Sequence, residues 1–128
     1  MIKRLVLFLC CLALLSGCAA PNKAAEYKKV TPDEAKELMD TRENVILLDV
    51  RTKEEFDQGH IPNALLLPNT EIKKQAGEKL PDKNALILVY CRSGNRSKSA
   101  SEELLAMGYT KVYDFGGIID WPYETVTE

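Results

Sequence analysis

From residue 27 onward, short apolar runs alternate with stretches of helical spacing. Val45-Ile46-Leu47-Leu48 and Ala85-Leu86-Ile87-Leu88-Val89 are uninterrupted, as expected of strands buried on both faces. Strands are predicted over 45–49 and 85–90, with others over 27–30, 64–67 and 111–114. Between them lie helix starts. Thr31-Pro32-Asp33-Glu34 is a capping box with proline at the first helical position, followed by Ala35, Leu38 and Met39 on one face. Thr52-Lys53-Glu54-Glu55 repeats the box and stops at Gly59. A third helix is expected to be capped by Asn69, with Ile72, Ala76 and Leu80 at four-residue spacing. A fourth is expected over 97–107, with Ala100, Leu104 and Met107 inward and Gly108 as its stop, and a short last helix after Gly116-Gly117. This alternation predicts an α/β domain over 27–128, a mostly parallel sheet with helices on both faces.

The first 26 residues read differently. Met1–Arg4 is basic, and Leu5 to Leu15 is almost wholly apolar. A spanning helix needs about 20 apolar residues, so this run is too short to cross and stay, and fits a secretory signal. It ends in Leu15-Ser16-Gly17-Cys18, which looks like a bacterial lipobox. Residues 1–17 are therefore expected to be a lipoprotein signal, with Cys18 lipidated and 18–26 a short tether. The expected location is extracytoplasmic, on the cell membrane or outer membrane. Ala19 in the second mature position gives no acidic retention signal, which favours the outer membrane if the cell has one.

Charge and cysteine count narrow the chemistry. The net charge of −2 becomes −4 once Lys3 and Arg4 are removed, and no basic stripe marks a nucleic-acid binder. Of four cysteines, Cys10 and Cys11 fall in the signal and Cys18 is taken by lipid, which leaves Cys91 as the one thiol of the domain. Disulfide frameworks and cysteine zinc sites both need more.

That cysteine opens the strongest local signal, Cys91-Arg92-Ser93-Gly94-Asn95-Arg96, between a buried strand and a helix. Ligands of open parallel sheets bind beyond the carboxyl ends of strands, and a tight loop backed by a helix N-terminus converges its amides on an anion. Arg92 and Arg96 favour a thiolate at the loop's rim, and Gly94 suits a turn with positive φ. Cys91 is the expected nucleophile, with Arg92, Ser93, Gly94, Asn95 and Arg96 holding an anionic substrate.

At these residues the chain resembles the rhodanese family of sulfurtransferases over about residues 27–123. Leu48-Asp49-Val50-Arg51, Glu55-Phe56 and Gly59-His60-Ile61-Pro62-Asn63-Ala64 look like its first signature. The Cys91–Arg96 loop looks like its active-site loop, and Gly108-Tyr109, Gly116-Gly117 and Trp121 like its closing segment. The resemblance implies a parallel sheet of about five strands. It also implies that Cys91 takes sulfane sulfur from an anionic donor such as thiosulfate and passes it to an external thiol or cyanide. No metal or organic cofactor is required, and a monomer is expected. Asp49 and Arg51 are expected to brace the loop rather than react. His60 reads as a structural turn residue, and Tyr109 and Trp121 as packing.

Two rivals share this pattern. Phosphatase or arsenate-reductase chemistry uses a cysteine, five residues and an arginine, whereas here the sixth residue after Cys91 is Ser97 and the arginine comes one place early. The shorter loop makes a smaller cup, suited to one sulfur atom. A membrane-tethered relay or binding module without small-molecule turnover would carry the same loop.

Overall fold

A computed structural model describes Ala25 and residues 27–128. The strands are β1 (Lys28–Lys29), β2 (Val45–Asp49), β3 (Leu65–Leu66), β4 (Leu86–Cys91) and β5 (Lys111–Gly117). The helices are α1 (Pro32–Thr41), α2 (Lys53–Gln58), α3 (Ile72–Lys79) and α4 (Asn95–Ala106), with 3-10 turns at Asn69–Glu71 and Ile118–Asp120. The strands form one sheet in the order β1-β5-β4-β2-β3, with every pairing parallel. β4 is its centre.

The alternation of side chains along β4 explains why the strand reads as a continuous apolar run. Ile87, Val89 and Cys91 pack with Ile72 and Ala76 of α3 and Ala100 and Leu104 of α4. Leu88 and Tyr90 pack on the opposite face with Ala35, Phe115 and Trp121. A strand covered on both sides has no polar positions to spare. Both capping boxes form: the Thr31 and Thr52 side chains accept from the amides of Glu34 and Glu55, whose carboxylates answer the cap amides.

Three expectations need correction. Asn69 does not cap α3 with its side chain; it starts a 3-10 turn, and α3 begins at Ile72. The inward set Ile72, Ala76 and Leu80 is nonetheless fully buried. β1 and β3 are two residues each rather than four, as edge strands with one partner often are. Helix α4 starts at Asn95, two residues before Ser97, because Gly94 supplies the cap through its backbone: its carbonyl accepts from Lys98 N–H at 3.2 Å.

Candidate active site

The end of β4 and the start of α4 build the site. Cys91 is the last residue of the strand rather than a rim residue, and is 1% exposed. It pairs with Gly117 of β5 across a register shift that lets the chain turn out of the sheet. Arg92 and Ser93 make the turn, and Gly94 closes it at φ +110°, a conformation glycine adopts without a Cβ penalty. Asn95 and Arg96 therefore lie in the first turn of α4, not in the loop. Gly94 N–H donates to Cys91 Sγ at 3.0 Å, so a backbone donor faces the sulfur. The N-terminus of a twelve-residue helix adds its positive end.

Two further contacts fix the cup. Ser97 is buried and its hydroxyl donates to Gly94 O at 3.1 Å, with Gly116 O at 3.4 Å. Asp114, also buried, accepts from Gly116 N–H at 2.8 Å and from the Tyr27 hydroxyl, so the Gly116-Gly117 end of β5 is held against the loop.

The arginines separate in role. Arg96 gives both guanidinium arms to Glu55, Nη1 to Oε1 at 2.6 Å and Nη2 to Oε2 at 2.9 Å. Arg92 is exposed, and among the described residues no carboxylate lies within ion-pair distance of it. Arg92 is thus the cation free to meet an anion, and Arg96 ties the loop's helix to α2. Glu55 belonged to the sequence signature, but its partner lies 41 residues away, and only the capping box was visible locally.

Asp49 and Arg51 form a buried ion pair at 2.7 Å. Burial opposes the charge on Arg51, and the Asp49 carboxylate more than offsets it, holding Arg51 more firmly protonated than usual. Its Nη2 also donates to Gly59 O at 2.7 Å. Through this contact the pair holds the Gly59-His60 turn, and Arg51 lines the same cleft as Arg92. His60 stacks on Phe56 at 3.7 Å, has Nδ1 2.9 Å from Phe56 O, and pairs its backbone with Val126. It is a structural residue, as are the buried Tyr109 and Trp121. Cys18 lies outside the described residues.

The Glu55–Arg96 pair makes the fold sensitive to acid. Hydrogen bonds from Arg96, only partly opposed by burial, lower the Glu55 pKa to about 2. The unfolded value is about 4.3, so this pair stabilises the fold fully above that pH and loses its contribution as pH falls toward 2. The two side chains are 31% and 28% exposed, which limits the effect to on the order of 1 kcal/mol. Urea unfolding at pH 6 and pH 3 should show a smaller acid loss in Glu55→Gln than in the parent. An identical loss in both would remove this pair from the acid response.

A family profile described as "Rhodanese-like domain" matches residues 31–122. The chain is 41% identical over 73 residues to "Thiosulfate sulfurtransferase PspE" of Escherichia coli (strain K12), covering 57% of this chain and 70% of that protein. It is 35% identical over 106 residues to "Thiosulfate sulfurtransferase GlpE" of Pseudomonas syringae, covering 79% and 96%. A solved structure, "rhodanese with anions from E. coli", matches with a TM-score of 0.62 at 37% identity, over 66% of this chain and 99% of that one.

Proposed function

The chain belongs to the rhodanese family of sulfurtransferases, and from that premise we propose that Cys91 carries sulfane sulfur from thiosulfate, or a similar anionic donor, to a thiol or cyanide. The observation that carries the reading is the position of Cys91 Sγ: it sits at the floor of a backbone cup, 3.0 Å from Gly94 N, at the head of α4. The Cys91 thiolate attacks the outer sulfur of the donor, the donor's S–S bond breaks, and sulfite leaves with the electron pair. The persulfide then occupies the cup, where the loop amides and helix end stabilise its charge. An acceptor takes the outer sulfur and returns Cys91 as a thiolate. The exposed Arg92 guides the donor in, while Ser93 and Asn95 line the approach and Arg96 keeps the helix end in place through Glu55.

Cys91 is the free cysteine of the described residues, and no second thiol there can discharge its persulfide. Turnover therefore depends on an external acceptor. Thiosulfate alone is expected to release a single burst of sulfite, about one per Cys91, and added cyanide or a dithiol to restart it. Sustained sulfite release in a rigorously acceptor-free assay would overturn this account and indicate hydrolysis.

The same proposal places a monomeric domain outside the cytoplasm, on a lipid attached to Cys18. The basic start, short apolar run and Leu15-Ser16-Gly17-Cys18 box support it. Cys18→Ser should leave the domain folded but absent from the membrane fraction or stalled in processing. Unchanged partition and processing would count against lipidation.

A further inference from the structure

A cleft of 650 Å³ opens beside the cysteine loop, lined by Arg92, Glu55, Ile119, Trp121 and Tyr123 among others. Three large apolar side chains of the described residues are exposed, and two of them, Ile119 at 63% and Tyr123 at 40%, face this cleft. The wall they form is attached to the catalytic loop, since Ile119 N–H donates to Arg92 O at 3.3 Å. It is also rigid. Trp121 meets Tyr123 edge-on at 5.0 Å and leans on Phe115 at 5.5 Å, while the Tyr123 hydroxyl donates to Asp33.

The charges of the cleft largely cancel from within. Arg51 is paired with Asp49 and Glu55 with Arg96, so Arg92 is left as its net positive charge. Thiosulfate or cyanide would fill a small corner of this volume and make no use of an apolar wall. A larger acceptor would use both features.

We propose that the cleft docks a partner protein that accepts the sulfur, through a segment whose cysteine is flanked by an acidic residue and a large apolar residue. This rests on the sulfurtransferase reading of Cys91. The acidic residue pairs with Arg92 and the apolar one lies against Ile119 and Tyr123, which brings the cysteine to the mouth of the cup. The acceptor thiolate attacks the outer sulfur of the Cys91 persulfide; the persulfide S–S bond breaks as a new one forms on the acceptor. Cys91 leaves as a thiolate, the acceptor becomes the persulfide, and no outside oxidant or reductant enters.

Trp121 is the chain's one tryptophan and lies in the cleft, so its fluorescence reports occupancy without any chemistry. The probe is a short peptide with serine in place of the acceptor cysteine, flanked by aspartate and leucine. A control peptide carries lysine and serine at the flanking positions. The full chain should give a saturable fluorescence change with the first peptide and bind the control about tenfold more weakly or worse. Ile119→Ser, a substitution at an exposed position, should weaken the first peptide by about tenfold while leaving the sulfite burst and cyanide turnover unchanged. Equal response to both peptides, no response to either, or indifference to Ile119→Ser would overturn the docking proposal. So would a change elicited by phosphatidylcholine vesicles but not by the peptide, which would assign the wall to a bilayer. Loss of the sulfite burst in the parent chain would instead overturn the chemistry assigned to Cys91.

Discussion

Cys91→Ser should yield a folded protein that releases no sulfite from thiosulfate. The substitution keeps a small side chain in the buried position at the end of β4, and its hydroxyl oxygen can still accept from Gly94 N–H. What disappears is the nucleophile. Sulfur is intrinsically a far better nucleophile than a serine hydroxyl, which needs a base to activate it, and the ring of the one histidine is committed to Phe56. The structural cost of exchanging a buried thiol for a hydroxyl with one hydrogen bond is about 1–2 kcal/mol, small beside the loss of all turnover. Two measurements decide the outcome: the sulfite burst, and mass spectrometry for one added sulfur atom after thiosulfate treatment. A burst of parental size in the variant would place the chemistry on another residue.

The second large effect comes from a residue with no reactive group. A Cβ on Gly117 would stand 2.0 Å from Arg92 O, 2.5 Å from Arg92 C and 2.6 Å from Ser93 Cα. All three are backbone atoms, so no side-chain rotation can relieve the clash, and the loop after Cys91 must move. Overpacking of this kind costs roughly 1–3 kcal/mol of stability. The cost to catalysis comes in addition, because a displacement near 1 Å can lower turnover about a hundredfold. Gly116→Ala is the instructive comparison: its Cβ would meet nothing within 4 Å, though its φ of +88° is strained for alanine. Gly117→Ala should therefore lose far more activity than Gly116→Ala for a comparable fall in urea midpoint. Equal turnover in the two variants would show that the loop does not depend on this close approach.

The parts of this molecule legible in its sequence are those set by local chemistry. The apolar runs of β2 and β4 and the capping boxes at Thr31 and Thr52 each carry their signal within a few residues, and each forms as expected. α4 starts ahead of the expected Ser97 because its cap is the backbone of Gly94, a position with no side chain to mark it. The division of labour between Arg92 and Arg96 was hidden for another reason. It depends on Glu55, which reaches the loop only after α2 and α4 have been brought together by the sheet. The burial of Cys91 is likewise a property of β4 being the central strand.

The strand order bears on when the domain can fold. β1 pairs with β5 through Lys28↔Tyr113 and Lys29↔Asp114, and β4 is held between β2 and β5. β2, β3 and β4 can pair once residue 91 is available, but β1, the first strand, has no partner until β5 is made. Such non-local pairing must overcome loop-closure entropy before any contact rewards it, which slows folding relative to helical bundles of similar size. In a chain emerging stepwise from a ribosome or a translocation pore, β1 and one edge of β4 would stay unpaired until β5 appears. Its reactive thiol would meanwhile lack one wall of the cup that shelters it, since Gly117, its pairing partner on β5, is made after it.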